Sequence, residues 1–259
     1  MNASNPPRNW FERGGDAYAR FRPQYPPALA SDLAALAPAR GLAVDVGCGT
    51  GQLTTLLADH FDRVVGLDPS EDQIASATAH ARVSYASASA TTLPLADRSV
   101  DLVTAAQAAH WFDLRAFYAE VRRVSTPGGV IALVTYGVPR LPEDLDARFQ
   151  RFYAEEIGPY WPPERRLVDR GYVDLPFPFA ALAVTPRTIR VDWDLPAFLA
   201  YLGTWSAARR AREAGREDLL HAFAAEIGQG WGEPETRRAV VWPVHVRAGL
   251  VDGERAPRA

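Results

Sequence analysis

The chain has 259 residues, 47% of them hydrophobic and 23% charged, which is the balance of a soluble globular protein with room for an α/β core and one sizeable insertion. A net charge of −3 argues against nucleic acid as a partner, and no apolar run approaches the ~20 residues of a membrane span. All the basic residues are arginine, which excludes a phosphate-loop or Schiff-base lysine, and the single Cys48 excludes an internal disulfide and a cysteine-rich metal site.

Residues 1–13 carry few signals beyond Trp10 and Phe11. Tyr18 to Pro27 is dense in aromatics and prolines, ahead of a helix expected over Ala28–Leu36. Leu42–Val46 reads as a short buried parallel strand, with Asp45 the one acid in it. Gly47, Gly49 and Gly51 then make a turn, and Gln52–His60 reads as a helix with Leu53, Leu56 and Leu57 on one face. Such a turn gathers backbone N–H groups and a positive helix end at one point, and its glycines let a ligand touch the backbone. The spacing is G-x-G-x-G and not the G-x-G-x-x-G of dinucleotide sites, which speaks against a nicotinamide dehydrogenase. Asp45 would repel a pyrophosphate but suits a ligand that carries positive charge. Val64–Asp68 reads as the next strand, ending in a carboxylate suited to a ribose diol. A nucleoside-bearing ligand is therefore expected at these strand ends.

Ser70 is placed to cap a helix, with Gln73 three residues on. Val83–Ala86 is expected as a third strand and Val100–Ala105 as a fourth. The fourth ends in the run Ala106 to Asp113, at the switch in strand order where open sheets bind ligands. His110 there is a candidate general base; the alternative is that His110 and Trp111 shape a pocket floor while Asp113 caps the next helix. A helix over Leu114–Val124, a stop at Thr126 to Gly129 and a strand over Val130–Thr135 follow.

From Pro139 to about Gly230 the chain is longer than a minimal core needs. It reads as helices over Glu143–Ile157, Pro163–Arg170, Pro196–Arg212 and Arg216–Ile227, with an extended piece near Ala181–Trp193. Val240–Val246 is expected as a last strand, with Pro243 placing it near an edge or bulge. Two segments of this insertion, around Tyr160, Trp161, Arg165 and Arg166 and around Tyr201 and Trp205, have the residues to clamp a flat anionic molecule. Equally, the aromatics suit a core and the arginines a solvated face.

The run Val44–Gly51 resembles motif I of the class I S-adenosylmethionine-dependent methyltransferases, and Gly66–Ser70 resembles their motif II. Leu93 to Leu95 with Ser99–Val103, and the helix, Pro-Gly-Gly turn and strand that follow, are similar to their fourth and fifth strand units. Tyr18 to Pro27 and Ala106 to Asp113 resemble one subgroup of methyltransferase type 11, that of trans-aconitate methyltransferase. The resemblance implies a Rossmann-like, doubly wound α/β fold with a seven-stranded sheet and a helical cap insertion. Residues 1–138 would hold a lid segment and the core, 139–235 the cap, and 236–259 the last strand and a frayed tail.

The implied cofactor is S-adenosylmethionine. Tyr18 and Arg22 would close over it, and Asp45, Gly47, Gly49, Gly51 and Gln52 would form its first loop. Asp68, Pro69 and Gln73 would hold its ribose side, with Ser89, Ala90 and Gln107 along its remaining length. Thr91 stands where the family often has an acid, which weakens a carboxylate contact to the adenine amine. The shared run around His110 favours a pocket role for it over a base. The acceptor would meet His110, Trp111, Tyr160, Trp161, Arg165, Arg166, Tyr201 and Trp205.

In-line methyl transfer needs alignment and desolvation more than elaborate catalytic groups. No Asp-Pro-Pro-Tyr and no Pro-Cys signature of the nucleobase enzymes is present, so a small-molecule acceptor is expected. Because the subgroup methylates carboxyl groups, carboxylate O-methylation leads. N- or hydroxyl O-methylation of a natural-product ring, or a non-catalytic adenosylmethionine-binding protein, are the alternatives. The expected protein is cytoplasmic, a monomer or homodimer, without metal, nucleic acid or membrane partners.

Overall fold

The computed structural model describes residues 23–252, so Tyr18 and Arg22 lie outside the described residues. The strands are β1 (Leu42–Val46), β2 (Arg63–Asp68), β3 (Val83–Ser87), β4 (Val100–Ala106), β5 (Ser125–Tyr136), β6 (Ala180–Leu182), β7 (Arg187–Trp193) and β8 (Arg238–Leu250). The helices are α1 (Pro27–Leu36), α2 (Gln52–Leu57), α3 (Glu71–Ala75), α4 (Leu114–Val124), α5 (Glu143–Arg151), α6 (Arg165–Asp169), α7 (Leu195–Gly203), α8 (Ser206–Glu213) and α9 (Glu217–Trp231).

All five residues of β1 are buried, as a central parallel strand requires when both of its faces are covered. The strand order is β3-β2-β1-β4-β5-β8-β6, with β7 paired to β8 off this path, so the sheet has eight strands where seven were expected. β1 is parallel to both β2 and β4, which puts Asp45 opposite Gly66 on one side and Thr104 on the other. Strand order reverses between β1 and β4, and this switch point is where a parallel sheet opens a crevice for a ligand.

Side chains alternate across the strands. Val44 and Val46 join Val103, Ile131 and Leu133 under Phe117, Val121 and Val124 of α4. Asp45 points to the opposite face, toward α2, where it meets Thr54. Asp113 caps α4, accepting from Arg115 N at 3.1 Å and Ala116 N at 3.2 Å.

Two compact units divide the chain. Gln24–Val138, Arg166–Ile189 and the chain from Pro243 onward form one; Pro139–Arg165 and Arg190–Trp242 form the other. The stretch read as one insertion, 139–235, is thus split. Val168, Tyr172, Leu175, Phe177 and Phe179 are buried in the same cluster as Phe117 and Tyr118, and that apolar surface keeps 166–189 with the sheet.

The second unit is helical and rich in aromatic contacts, with Phe152 stacked on Phe223 at 4.0 Å and Phe198 on Trp231 at 5.4 Å. Its helices differ from the expected ones in two places. The α5 helix passes into a π turn over Phe152–Glu156, and the Ile157 N–H bonds back to the Phe152 carbonyl. The single helix expected over 196–212 is two, α7 and α8. Thr204 Oγ1 donates to the Tyr201 carbonyl at 2.7 Å and Trp205 is extended, a local side-chain bond that competes with helix continuation.

Candidate active site at the strand ends

The glycine turn is built on positive φ: +71° at Gly47, +55° at Gly49 and +88° at Gly51. A Cβ on Gly47 would lie 2.5 Å from Ala108 Cβ, and one on Gly51 would strike the Tyr85 ring and hydroxyl. Tyr85 donates to the Thr78 carbonyl at 2.9 Å, and burial pushes its phenol up to about 12. Gly47 N and Cys48 N both donate to the Leu67 carbonyl, at 2.7 and 3.0 Å, folding the turn across the end of β2. Cys48 is buried and its thiol is pushed well above its ordinary range by desolvation, which leaves it unreactive.

The two acids of this site have different environments. Asp45 is 1% exposed, and both carboxylate oxygens accept hydroxyl bonds, from Thr54 at 2.7 Å and Thr104 at 2.8 Å. Burial raises its pKa to about 6, against the opposing effect of the two hydroxyls. Asp45 therefore braces β1, β4 and α2. Asp68 is half-buried and accepts from Gly49 N and Ser70 N, both at 2.9 Å. A carboxylate has about four lone-pair sites, so these two bonds leave capacity for a diol. Ser70 caps α3 by accepting from Gln73 N at 3.3 Å, which brings the Gln73 amide beside Gly49. Pro69 stays at the exposed turn, and Gln52 opens α2 directly after Gly51.

The loop after β3 is tied to the same place, since Ala88 N donates to the Asp68 carbonyl at 3.2 Å. Ser89 Oγ lies 2.9 Å from Thr91 Oγ1, and Ala90 is buried beside them. Gln107, at the end of β4, has φ +55° and a side chain committed to β5. It donates to the Tyr136 carbonyl at 3.0 Å and accepts from Thr135 Oγ1 at 2.7 Å. Its amide thus joins two strand ends.

His110 follows in a 3-10 turn, with Nδ1 2.7 Å from the hydroxyl of Tyr172. Trp111 is 62% exposed and packs its ring at 4.7 Å from His110. In the helical unit, Arg165 stacks over Trp161 at 4.6 Å and donates to Tyr153 Oη at 2.8 Å. Trp161 in turn meets Trp205 at 5.1 Å, and Trp205 meets Tyr201 at 5.6 Å. These segments, some forty residues apart in sequence, form one cluster. Tyr160 is half-buried. Arg166 does not join Arg165 as a pair: it is exposed at the start of α6 and belongs to the sheet unit.

Sequence reasoning missed Thr54, Thr104 and Tyr172. Thr104 carried a readable signal, a polar residue inside the apolar strand Val100–Ala106, and the structure sets it in register with Asp45. Tyr172 carried none, being 62 residues from His110. Among the described residues no group of three or more His, Cys, Asp or Glu could hold a metal ion. A cavity of about 440 Å³, lined by Leu42, Arg63, Val83 and Ser99 among others, lies at the amino ends of the strands. Parallel sheets bind ligands at the other end, so it is not the site.

A family profile described as a methyltransferase domain matches residues 44–133, the span from β1 to β5. A Dictyostelium discoideum protein that carries the name of a methyltransferase, with no named substrate, is 35% identical over 208 residues, 79% of this chain and 79% of that protein. The chain belongs to the class I S-adenosylmethionine-dependent methyltransferases. This methyltransferase also resembles a solved structure from Anaeromyxobacter dehalogenans described as a type II methyltransferase, at 48% identity and TM-score 0.84, covering 89% of this chain and 98% of that one. A malonyl-[acyl-carrier protein] O-methyltransferase of Pectobacterium atrosepticum is 37% identical over 145 residues, 54% of this chain and 56% of that enzyme.

S-adenosylmethionine is the cofactor of this family, and the residues present fit it. Asp68 keeps acceptor capacity at the end of β2, and two carboxylates beside the turn suit a cationic ligand. Among the described residues no helix is long and apolar enough to cross a membrane.

Proposed function

We propose that this methyltransferase O-methylates a small carboxylic acid, as the resemblance to the trans-aconitate methyltransferase subgroup suggests. The observation that carries the reading is in the aromatic cluster. Trp161 Nε1 is a buried donor without a hydrogen-bond partner, beside the guanidinium of Arg165. A buried unpaired N–H is costly, and a carboxylate oxygen would satisfy it. The O-methyltransferase relative supports the same class, because the oxygen a malonyl thioester offers for methylation is its free carboxylate.

When bound, S-adenosylmethionine supplies an electrophilic methyl group on a sulfonium, whose C–S bond breaks as the new C–O bond forms. The chain's own residues position the reactants. The Asp68 carboxylate, held in place by Gly49 N and Ser70 N, would accept from the ribose hydroxyls. Asp45 places negative charge under the turn, opposite a cationic ligand. Tyr18 and Arg22 would close the site, and Gln52, Pro69, Gln73, Ser89 and Ala90 would line it. Within the helical unit, Arg165 and Trp161 are the candidate residues for the acceptor carboxylate, with Tyr201 and Trp205 in the same aromatic cluster. A carboxylate is already a nucleophile at neutral pH, so no side chain has to remove a proton.

The test is incubation with S-adenosylmethionine and a panel of carboxylic acids, read by mass. The expected product gains one methyl group and loses it in mild alkali. Arg165→Ala should raise acceptor KM roughly ten-fold or more, the scale of a lost charge-assisted bond, with cofactor affinity kept. Arg166→Ala should change neither. An alkali-stable product would move the reading to N- or hydroxyl O-methylation, and cofactor binding with no product from any acceptor would mean a non-catalytic protein.

A further inference from the structure

Strand β4 stops at a single residue. Gln107 N still donates to the Val134 carbonyl at 2.9 Å, continuing the register of the Ala106–Val134 pair, and there φ swings to +55°. That left-handed conformation is open to glycine and strained for a residue with a Cβ. A parallel ladder bonds alternate residues, so an extended β4 would next offer the backbone N–H of Ala109 to the Tyr136 carbonyl. The Gln107 side chain takes that bond instead, at 3.0 Å, and its own carbonyl oxygen accepts from Thr135 Oγ1 at 2.7 Å. Thr135 and Tyr136 are buried, where an unmet polar group is costly. Glycine would relax the backbone here; glutamine supplies the two bonds that hold it.

What the kink places comes directly after it. Ala108 is buried so close to Gly47 that a Cβ on Gly47 would lie 2.5 Å from its methyl, with the Phe112 ring at 3.3 Å. Phe112 is fixed from behind by Phe117 of α4, at 4.9 Å between ring centroids. The segment after β4 thus closes on the first glycine of the turn after β1, across the point where strand order reverses. All of these residues belong to the sheet unit. Backbone strain that several bonds enforce gathers where a site needs a fixed geometry. We propose that Gln107 is a positioning residue for S-adenosylmethionine. Its amide, anchored on Thr135 and Tyr136, holds the kink that sets Ala108 and Phe112 against Gly47, and so fixes the shape of the glycine turn. It acts through that contact and not by touching the cofactor. This role rests on the cofactor binding at the glycine turn and is independent of the acceptor.

The test is calorimetric titration of S-adenosylmethionine at a temperature where melting curves show each variant folded. A variant that had lost only stability would bind there as the wild type does. Gln107→Gly keeps the left-handed backbone and removes the amide; it should weaken binding roughly ten-fold or more, the scale of the two lost bonds. Thr135→Val keeps the shape of a fully buried side chain that meets the site only through Gln107. It should weaken binding several-fold alone and add nothing in the Gln107→Gly background. Wild-type affinity in Gln107→Gly overturns the proposal. A loss there with wild-type affinity in Thr135→Val also overturns it, since the amide would then contact the cofactor directly. Losses that multiply in the double variant do the same. If Gln107→Gly fails to fold, Thr135→Val still decides. Asp68→Ala serves as the control for the site. Affinity lost there but kept in Gln107→Gly overturns the positioning role alone; affinity kept in both overturns the cofactor site with it.

Discussion

Asp45 shows how one residue trades stability for a site. Its carboxylate is out of water, satisfied by two threonine hydroxyls and by no cation among its bonding partners. Its pKa of about 6 in the fold lies above its ordinary value of 3.8, so between roughly pH 4 and pH 6 the folded form binds more protons than the unfolded form. Stability from this group is therefore present below pH 4 and lost as pH rises through 6, at a cost on the order of 2–3 kcal/mol at neutral pH. Asp45→Asn keeps the shape, and its amide can bond both threonines. Urea denaturation over pH 4–7 should show a flatter pH dependence and at least wild-type stability at pH 7, together with weaker S-adenosylmethionine binding. A less stable variant with the wild-type pH dependence would mean the charge is not what the fold pays to keep.

At the scale of elements, the glycine turn joins β1 to α2, and Gly47 is its tightest point. Gly47→Ala would combine a left-handed φ with a 2.5 Å approach to Ala108, in a segment with nowhere to move. A loss of about 2 kcal/mol or more in a denaturant titration, with cofactor binding abolished, is the expected outcome; a variant of wild-type stability would show that the turn relaxes. This part of the fold was legible because each of its rules is local. Buried apolar runs gave β1, β2 and β4, and Ser70 and Asp113 announced their helices by capping. The helical unit was less legible because its breaks come from single side chains and crossing aromatics. Thr204 ends α7 through its own hydroxyl, and Phe152 begins a π turn in the middle of an apolar helix pattern. Nothing in the spacing of 166–189 marks it as part of the sheet unit. Only the burial of Val168, Tyr172 and Phe179 against α4 does so.

For the whole molecule, the candidate cofactor residues lie close together in sequence and the candidate acceptor residues do not. Apart from Tyr18 and Arg22, the candidate cofactor residues fall between Asp45 and Gln107, where a strand, its turn and the next strand's acid follow in order. The candidate acceptor residues come from distant segments, whose grouping depends on tertiary packing within each unit. Thus Trp161 and Trp205 come together within the helical unit, and Tyr172 meets His110 within the sheet unit. The central claim is that the glycine turn and Asp68 bind S-adenosylmethionine through its ribose. It is tested most directly by calorimetric titration of the cofactor into the wild type and Asp68→Ala, with NADH as the comparator. The account predicts binding of S-adenosylmethionine and not of NADH, and a loss of about 1.5–3 kcal/mol in the variant, the scale of hydrogen bonds to a charged group. Tight NADH binding, or an Asp68→Ala protein that binds S-adenosylmethionine as the wild type does, would contradict it.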